Sequence, residues 1–171
     1  MATRTNTGDR RSAYTDADRA ADRRARVFAA IVGATFLLVG IAGFIPGVTT
    51  NLDEIEFAGH DSTAELVGVF QVSVLHNLVH LAFGVAGLAL ARRADWARGY
   101  LLIGGLVYLA LALYGAFIEH DSDANFVPVN NADDWLHLGL AAGMILLWLL
   151  SLRPRVRDFD DTRGGRRLNR R

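Results

Sequence analysis

The stretch VFAAIVGATFLLVGIAGFI, residues 27–45, contains no charged side chain and no polar stripe. A rise of 1.5 Å per residue gives an α-helix of this length roughly 28 Å, close to the hydrocarbon thickness of a bilayer. A helix of a soluble bundle would instead carry polar residues along one face at a spacing of 3.6 residues. The stretch is therefore predicted to cross a membrane as an α-helix.

Three further apolar runs follow, so the chain is predicted to contain four transmembrane spans, at residues 27–45, 66–91, 100–118 and 135–152. The second run is the longest and is expected to tilt or to protrude from the bilayer. Glycine and alanine recur inside the runs, and small residues allow helix backbones to approach each other in lipid. The predicted fold class is all-α, a polytopic integral membrane four-helix bundle with short connections between antiparallel neighbours.

The charged residues predict the orientation of the bundle. All eighteen cationic residues are arginines: seven precede the first span, three lie between the second and third, and eight follow the fourth. The other two loops, residues 46–65 and 119–134, hold ten of the eighteen acidic residues and no arginine. Because arginine-rich segments stay in the cytoplasm, both termini are predicted to be cytoplasmic (N-in/C-in). The predicted location of the protein is the plasma membrane.

Arginine-rich segments flank the predicted membrane domain. Residues 26–152 form that domain, residues 1–25 are predicted to be a partly disordered cytoplasmic segment, and residues 153–171 a disordered cytoplasmic tail. The arginine clusters are expected to contact anionic lipid head groups of the bilayer. Other expected partners are further copies of the chain or a larger membrane complex. No nucleic-acid partner is expected, because nothing besides the arginines favours one.

Cap-forming residues predict where helices begin. Thr15, followed by acidic residues, predicts a helix that runs from the cytoplasmic segment straight into the bilayer. Ser62 and Glu65 have the spacing of a capping box at the start of the second span. Asn131 and Asp134 have the same cap-plus-acid spacing before the fourth span.

Several kinds of chemistry are excluded or not indicated. The chain has no cysteine, which excludes disulfides, thiolate metal ligands, iron–sulfur clusters and thioether haem attachment. It shows no glycine-rich phosphate loop and no nucleophile–base constellation, so an enzymatic activity is not indicated. An acidic residue at the centre of a span, the usual mark of an ion-coupled transporter, is also missing.

The second span carries the most notable polar residues. Ser73, His76, Asn77 and His80 follow the i, i+3, i+4, i+7 spacing of one helical face, which must look into the bundle. If the helix begins at Leu66, His76 lies roughly 15 Å and His80 roughly 21 Å below its outer end. This face is either a buried site for a metal, a haem, a quinone head group or a proton, or a set of neutral groups that hydrogen-bond across helices at about 0.6–2 kcal/mol each.

His137, in the first turn of the fourth span, shares a layer with His76 if the second and fourth spans are adjacent. Together with His80 and Glu119, these residues would supply the ligand types of a zinc, iron or manganese centre. Glu119 has an alternative role, as part of a solvated acidic rim with the two residues that follow it. Two histidines of one helix cannot both ligate one haem axially, so a single b-haem would have to use His137.

Two motifs carry a resemblance: HNLVHLAFGVAGLALA at residues 76–91 and PVNNADDWLHLGL at 128–140. With the four-span plan, the chain resembles a family of bacterial membrane proteins, domain of unknown function 4383 (DUF4383), over roughly residues 26–152. The resemblance implies a four-helix integral membrane protein and no particular activity, cofactor or substrate. Where the family's second motif commonly has an asparagine, this chain has Asp134. The matching motifs single out His76, Asn77, His80, Asp133, Trp135 and His137.

Three hypotheses about function follow. The first is a structural or accessory membrane protein whose polar residues hold the bundle together. The second is binding of a small ligand, metal or quinone near His76, His80 and His137, with Asn77 as a further ligand-binding residue. The third is a small transporter or proton pathway, with the histidines as relay groups and the acidic loops attracting cations. The cofactor, if there is one, is left open.

Overall fold

Between residues 7 and 154 the chain forms four α-helices and a small, mostly irregular cap. The computed structural model describes the backbone of residues 7–154 and the side chains of residues 16–154. Of the two segments predicted to be wholly or partly disordered, residues 1–25 and 153–171, the parts 1–6 and 155–171 lie outside the described residues. The helices are α1 (Thr7–Ala42), α2 (Val74–Leu90), α3 (Ala94–Phe117) and α4 (Asn131–Leu150).

A short antiparallel sheet, which the sequence did not predict, lies between α1 and α2. Its strands are β1 (Thr49–Thr50), β2 (Glu65–Leu66) and β3 (Phe70–Gln71), in the order β1-β2-β3, with a 3-10 helix at Leu52–Glu54. The prediction of a mainly helical fold is confirmed, with this sheet as an addition.

Helix α1 is continuous over 36 residues, which corresponds to roughly 54 Å. The prediction that one helix runs from the arginine-rich segment into the apolar stretch is confirmed. The predicted start at Thr15 is wrong, because the helix already begins at Thr7. Arginine and alanine between these two positions are good helix formers, so nothing stops the helix there.

Helix α2 begins later than predicted, at Val74 instead of Leu66. Residues 66–73 belong to the sheet and its connections, because Val67 (φ 50°) and Gly68 (φ 69°) turn the chain back between β2 and β3. The N-cap is Ser73, whose hydroxyl accepts a hydrogen bond from the backbone N–H of His76. The second helix therefore has 17 residues and a length of roughly 26 Å.

Two predicted helix caps are wrong in detail. Ser62 does not cap α2. Its hydroxyl instead donates to the carbonyl of Val72 at 2.6 Å, within the connection between α1 and α2. The capping box of α4 is formed by Asn130 and Asp133, one residue before the predicted pair. A side chain at position 130 bonds to the N–H of residues 132 and 133, which fixes the start of the helix.

Three helices are long and apolar enough to cross a membrane, namely Asp16–Ala42, Ala94–Phe117 and Asn131–Leu150. The most apolar 18-residue stretch of each helix has a mean hydropathy of 2.1, 1.9 and 1.3, respectively. Helix α2 is apolar but shorter. Large apolar side chains are exposed along the helices, such as Leu38 at 67% and Ile103 at 63%. Such surfaces are typical of a multi-pass membrane protein, and unusual for a soluble one.

The helices pack as two hairpins, α1 with α2 and α3 with α4. Glycines bring α1 and α2 together: a Cβ built on Gly84 would lie 2.5 Å from the backbone nitrogen of Leu37, and one on Gly33 would lie 2.8 Å from that of Leu88. This agrees with the expectation that small residues allow close approach of helices. The core between the hairpins is aromatic and aliphatic, with Phe36, Tyr100, Leu101, Tyr108 and Met144 buried.

The two hairpins are joined at both ends. At one end, which we call the arginine end, Asp22 of α1 accepts from Arg98 of α3 at 2.7 Å and from Arg153 at 2.9 Å. At the other end, residues 43–73 and 118–130 form the cap, where the N–H of Gly59 donates to the carbonyl of Phe126 at 2.9 Å. The acidic loops and the arginines between residues 19 and 153 therefore lie at opposite ends of the bundle.

Candidate functional site

The polar face of α2 looks into the bundle, as predicted. Ser73, His76, Asn77 and His80 are all buried; His76 is 6% exposed and His80 is 8% exposed. The neighbours Leu78 and Val79 on the other face are 46% and 52% exposed. A helix with this division places its polar groups where other helices can satisfy them.

The predicted depths of the histidines are wrong, because they were measured from Leu66. With the helix beginning at Val74, His76 lies in its first turn, roughly 3 Å from the start, and His80 roughly 9 Å from it. Both residues therefore lie directly beneath the cap. His137, six positions after the first residue of α4, lies at a similar roughly 9 Å.

Histidines from two helices meet in this layer. The ring centroids of His76 and His137 are 6.4 Å apart, and His137 is only 3% exposed. The expectation that the two residues share a layer is thereby met. It is met although α2 and α4 belong to different hairpins, because both rings point into the space between the hairpins.

The histidines are part of a closed circuit of rings. His76 stacks on His80 with centroids 4.6 Å apart, and His80 stacks on Phe36 at 5.5 Å. Phe36 stacks on Tyr108 at 5.2 Å, and Tyr108 contacts His137 at 5.3 Å. We call these five residues, which come from all four helices, the imidazole–aromatic cluster. Phe36 was missed at the sequence level, because nothing in its local pattern distinguishes it from other core aromatics.

Two fully buried ring nitrogens of the cluster have no hydrogen-bond partner among the described residues. Nδ1 of His80 lies 3.1 Å from the carbonyl oxygen of His76. A carbonyl only accepts, so this nitrogen carries the proton of the neutral ring, and Nε2 of His80 is an acceptor. Nδ1 of His76 and Nδ1 of His137 are buried and have no partner among the described residues. An unsatisfied buried polar atom costs about 1–3 kcal/mol, so both atoms are candidates for contact with a ligand.

The four predicted metal ligands do not all come together. His76, His80 and His137 lie in one cluster, whereas Glu119 is exposed in the loop after α3. Between residues 16 and 154, no group of three or more His, Asp or Glu side chains is arranged to hold a metal ion.

Asn77, predicted to bind a ligand, has a structural partner instead. Its amide nitrogen donates to the carbonyl of Gly43 at 2.9 Å, just beyond the end of α1. A Cβ at position 43 would overlap this amide, so glycine is required there. The hydroxyl of Thr49 donates to the carbonyl of Ala42, the last residue of α1, which also accepts from the N–H of Ile45. Asn77 thus satisfies a backbone carbonyl just beyond the end of α1.

Asp133 connects the cap to α4. Its carboxylate accepts from the backbone N–H of Gln71 at 3.1 Å and from that of Asn130 at 3.0 Å. The side chain of Gln71 in turn donates to the carbonyls of His60 and Ser62. This network was not predicted, because it joins residues that are far apart in the sequence.

The acidic rim is only partly solvated. Glu119 and Asp121 are exposed, as expected. His120 instead faces Asp134, with Nε2 and Oδ2 3.1 Å apart and both side chains mostly buried. Asp134 packs so closely on Gly115 that a Cβ there would overlap its carboxylate.

The cap closes the bundle above the cluster. Backbone N–H groups of Val74 and Leu75, at the start of α2, donate to the carbonyls of Glu56 and Phe57 in the cap. These bonds satisfy groups that a helix start would otherwise leave free. The buried Asn125 holds the second loop in shape, donating to the carbonyls of His120 and Val129.

The family described as Domain of unknown function (DUF4383) matches residues 26–150, which is most of the chain. The chain belongs to this family. The resemblance predicted from the two motifs is thus confirmed. No curated protein and no solved structure matches the chain.

The DUF4383 motifs can now be placed on the structure of this member. Trp135 is 75% exposed, beside the start of α4, whereas the other motif residues are buried. The two motifs therefore meet from different hairpins at one level of the bundle. The buried ones are His76, Asn77, His80, Asp133 and His137.

At the arginine end of this DUF4383 protein, ion pairs connect the elements that hydrogen-bonded loops connect at the cap. Asp22 bonds to Arg98, whose side chain is 11% exposed, and to Arg153. The hydrogen bonds with Asp22 raise the pKa of Arg153, because the carboxylate stabilises the charged guanidinium. At the arginine end, ion pairs therefore connect α1 to α3 and to the segment after α4.

Proposed function

We propose that the protein is a multi-pass protein of the plasma membrane that crosses the bilayer four times, with the arginine end in the cytoplasm and the cap outside. The distribution of all eighteen arginines supports this orientation. Helix α2, with 17 residues, has the minimum length for a span, and the cap continues from its outer end.

Single-cysteine labelling tests the orientation, because the chain has no cysteine of its own. Asp53→Cys and Asp121→Cys place an exposed thiol in each loop of the cap, and Arg93→Cys places one at the arginine end. A membrane-impermeant maleimide should label the first two in intact cells and the third only after permeabilisation. Labelling of Arg93→Cys in intact cells would overturn the proposed orientation.

We propose further that the protein acts as a structural or accessory membrane component. The observation that supports this role best is the use of the buried polar side chains. Asn77 closes the end of α1, Asp133 ties the cap to α4, and Asn125 holds the second loop. Groups used in this way stabilise one arrangement of helices and are not available for chemistry.

Complementation of a deletion strain tests this role. A structural role predicts that the phenotype follows the amount of folded protein in the membrane. Variants that keep this amount, such as His76→Leu with His137→Leu, should then complement fully. Asn77→Leu, which removes the bond to Gly43, should complement only as far as its abundance allows. Loss of function by the histidine variant at normal abundance would contradict the structural role.

A second candidate function is the binding of a small ligand at the imidazole–aromatic cluster. The specific observation in its favour is the pair of buried Nδ1 atoms, in His76 and His137, that lack a partner. A quinone head group, which accepts hydrogen bonds in its oxidised form and donates them as the quinol, has suitable chemistry. The test is analysis of the protein purified from membranes, by elemental analysis, absorption in the Soret region and organic extraction for quinones. A stoichiometric ligand that is lost in the histidine variant supports this function.

A further inference from the structure

A groove at the arginine end runs between α1 and α2. Its volume is about 420 Å³, within the range of small-molecule sites. Three arginines line it, Arg23 and Arg26 from α1 and Arg92 from the turn after α2. The rest of the lining is apolar and includes Val27 and Leu88.

Three arginines of this end that lie outside the groove have acidic partners, whereas Arg24 and Arg93, like the groove arginines, have none within 4 Å among residues 16–154. Arg19, Arg98 and Arg153 each pair with an aspartate. Side chains 23, 26 and 92 are exposed, and none has an acidic partner within 4 Å among residues 16–154. The groove therefore presents three positive charges that the described part of the chain does not neutralise.

One of these guanidinium groups is held in position. Nε of Arg26 donates to the carbonyl of Ala91 at 3.2 Å, which ties α1 to the end of α2. The two terminal nitrogens of this side chain stay available. A guanidinium presents them as a planar fork that matches the oxygens of a phosphate group.

An apolar wall continues from the charged part along the helices. Val27 is 44% exposed and Leu88 is 39% exposed, one helical turn or less from Arg23 and Arg92. An anionic group that carried no hydrocarbon would leave this wall uncovered. A phospholipid would cover it with an acyl chain while its phosphate meets the arginines.

We infer that this groove is a binding site for an anionic phospholipid. The inference rests on the proposed orientation, which places the arginine end at the inner leaflet of the membrane, where anionic lipids are attracted by basic residues. It goes beyond a general attraction between arginines and the bilayer, since it assigns the contact to three of the eighteen arginines and to one face of α1.

Lipid titration of the purified full-length protein in a neutral detergent, followed by native mass spectrometry, tests the inference. The probes are phosphatidylglycerol, phosphatidylcholine with the same acyl chains, and inorganic phosphate. The protein should retain phosphatidylglycerol, bind phosphatidylcholine at least tenfold more weakly, and bind inorganic phosphate negligibly. Equal binding of the two lipids, or binding of phosphate alone, would overturn the proposal.

A matched pair of variants locates the site. Arg23→Gln and Arg24→Gln each remove one exposed charge from neighbouring positions of α1, but only the first lines the groove. Loss of one arginine at the surface should weaken phosphatidylglycerol binding roughly fivefold for Arg23→Gln. Arg24→Gln should change it less than twofold. Equal effects of the two variants would mean that only the net charge matters, and the site would be refuted.

The triple variant Arg23→Gln, Arg26→Gln, Arg92→Gln should weaken binding on the order of a hundredfold. Thermal unfolding of the triple variant in the absence of lipid shows whether it folds. The double variant Arg23→Lys, Arg92→Lys keeps the positive charges and should therefore keep most of the phosphatidylglycerol binding. Cysteine labelling separates the two proposals. Normal orientation without selective lipid binding refutes this inference alone, whereas reversed orientation refutes the proposed topology.

Discussion

The carboxylate of Asp133, at the start of α4, accepts a hydrogen bond from the backbone N–H of Gln71 in β3, with 3.1 Å between oxygen and nitrogen. The two residues belong to different hairpins. Since Gln71 is followed after two residues by the start of α2, this bond also helps to set the height of His76 relative to His137. One buried carboxylate thus connects the cap, two helices and the imidazole–aromatic cluster.

Replacement of Asp133 by alanine should destabilise the protein by roughly 2–4 kcal/mol. The change removes the capping box and leaves the N–H groups of Gln71 and Asn130 without their partner. Thermal or denaturant unfolding in detergent measures the effect. Asp121→Ala, at an exposed position, is the control and should change the stability by less than about 0.5 kcal/mol. Equal stabilities of the two variants would contradict the role given to Asp133.

Close packing of α1 on α2 makes Gly84 intolerant of a side chain. In Gly84→Ala the new Cβ would lie 2.5 Å from the backbone nitrogen of Leu37, so the helices must separate, at a cost of about 1–3 kcal/mol or more. Gly143→Ala is the matched control, because a Cβ at this helical position meets nothing within 4 Å. It should be neutral or stabilising by up to about 1 kcal/mol. The same unfolding experiment compares them, and a stable Gly84→Ala variant would refute the close contact.

Substitution of Val67 should increase the stability of the cap. It has a φ of 50°, a conformation that a β-branched residue adopts only with strain, and its side chain is 62% exposed. Val67→Asn keeps the turn with a residue that tolerates this conformation, and should stabilise the cap by about 1 kcal/mol. Val69→Asn changes the same residue type in the same turn at a negative φ and should not stabilise. Hydrogen exchange of the β2 and β3 amides measures the local effect; slower exchange in both variants, or in neither, would speak against strain at Val67.

The charge network of the arginine end should depend on Asp22. Asp22→Asn leaves the largely buried Arg98 with only the exposed Asp95 as an acidic partner among residues 16–154, at an expected cost of roughly 1–3 kcal/mol, and reduces the dependence of the melting temperature on salt. Asp16→Asn removes the carboxylate of an exposed pair with Arg19 and should cost less than about 0.5 kcal/mol. Melting curves at low and high ionic strength test both statements. An unchanged salt dependence in Asp22→Asn would contradict the network.

The helices were predictable because their apolar runs are long, and the inward face of α2 because its polar residues recur at helical spacing. The start of α2 was not predictable in the same way. Residues 66–73 are apolar enough to extend the helix, and strands of two residues have no periodicity of their own. What removes them from the helix is a left-handed turn at Val67 and the hydrogen bond from Gln71 to Asp133, at the start of α4.

The candidate site was predictable in part. The positions of His76 and His137 in the sequence predict that the two residues face the interior of the bundle in one layer, and the structure brings them together. The roles of Asn77 and Asp133 could not be obtained from spacing, because their partners Gly43 and Gln71 lie on other elements. Either Asn130 or Asn131 could cap α4 by type, and only the three-dimensional contacts decide between them.

The joints at the two ends of the bundle respond to different conditions. Hydrogen bonds fasten the hairpins at the cap, among them the bond to the buried carboxylate of Asp133, and buried groups are screened by dissolved ions much less than exposed charges. Asp22 with its two arginines fastens them at the other end, where counterions compete with the pairing. Rising ionic strength is therefore expected to weaken the contact between the hairpins at the arginine end more than at the cap.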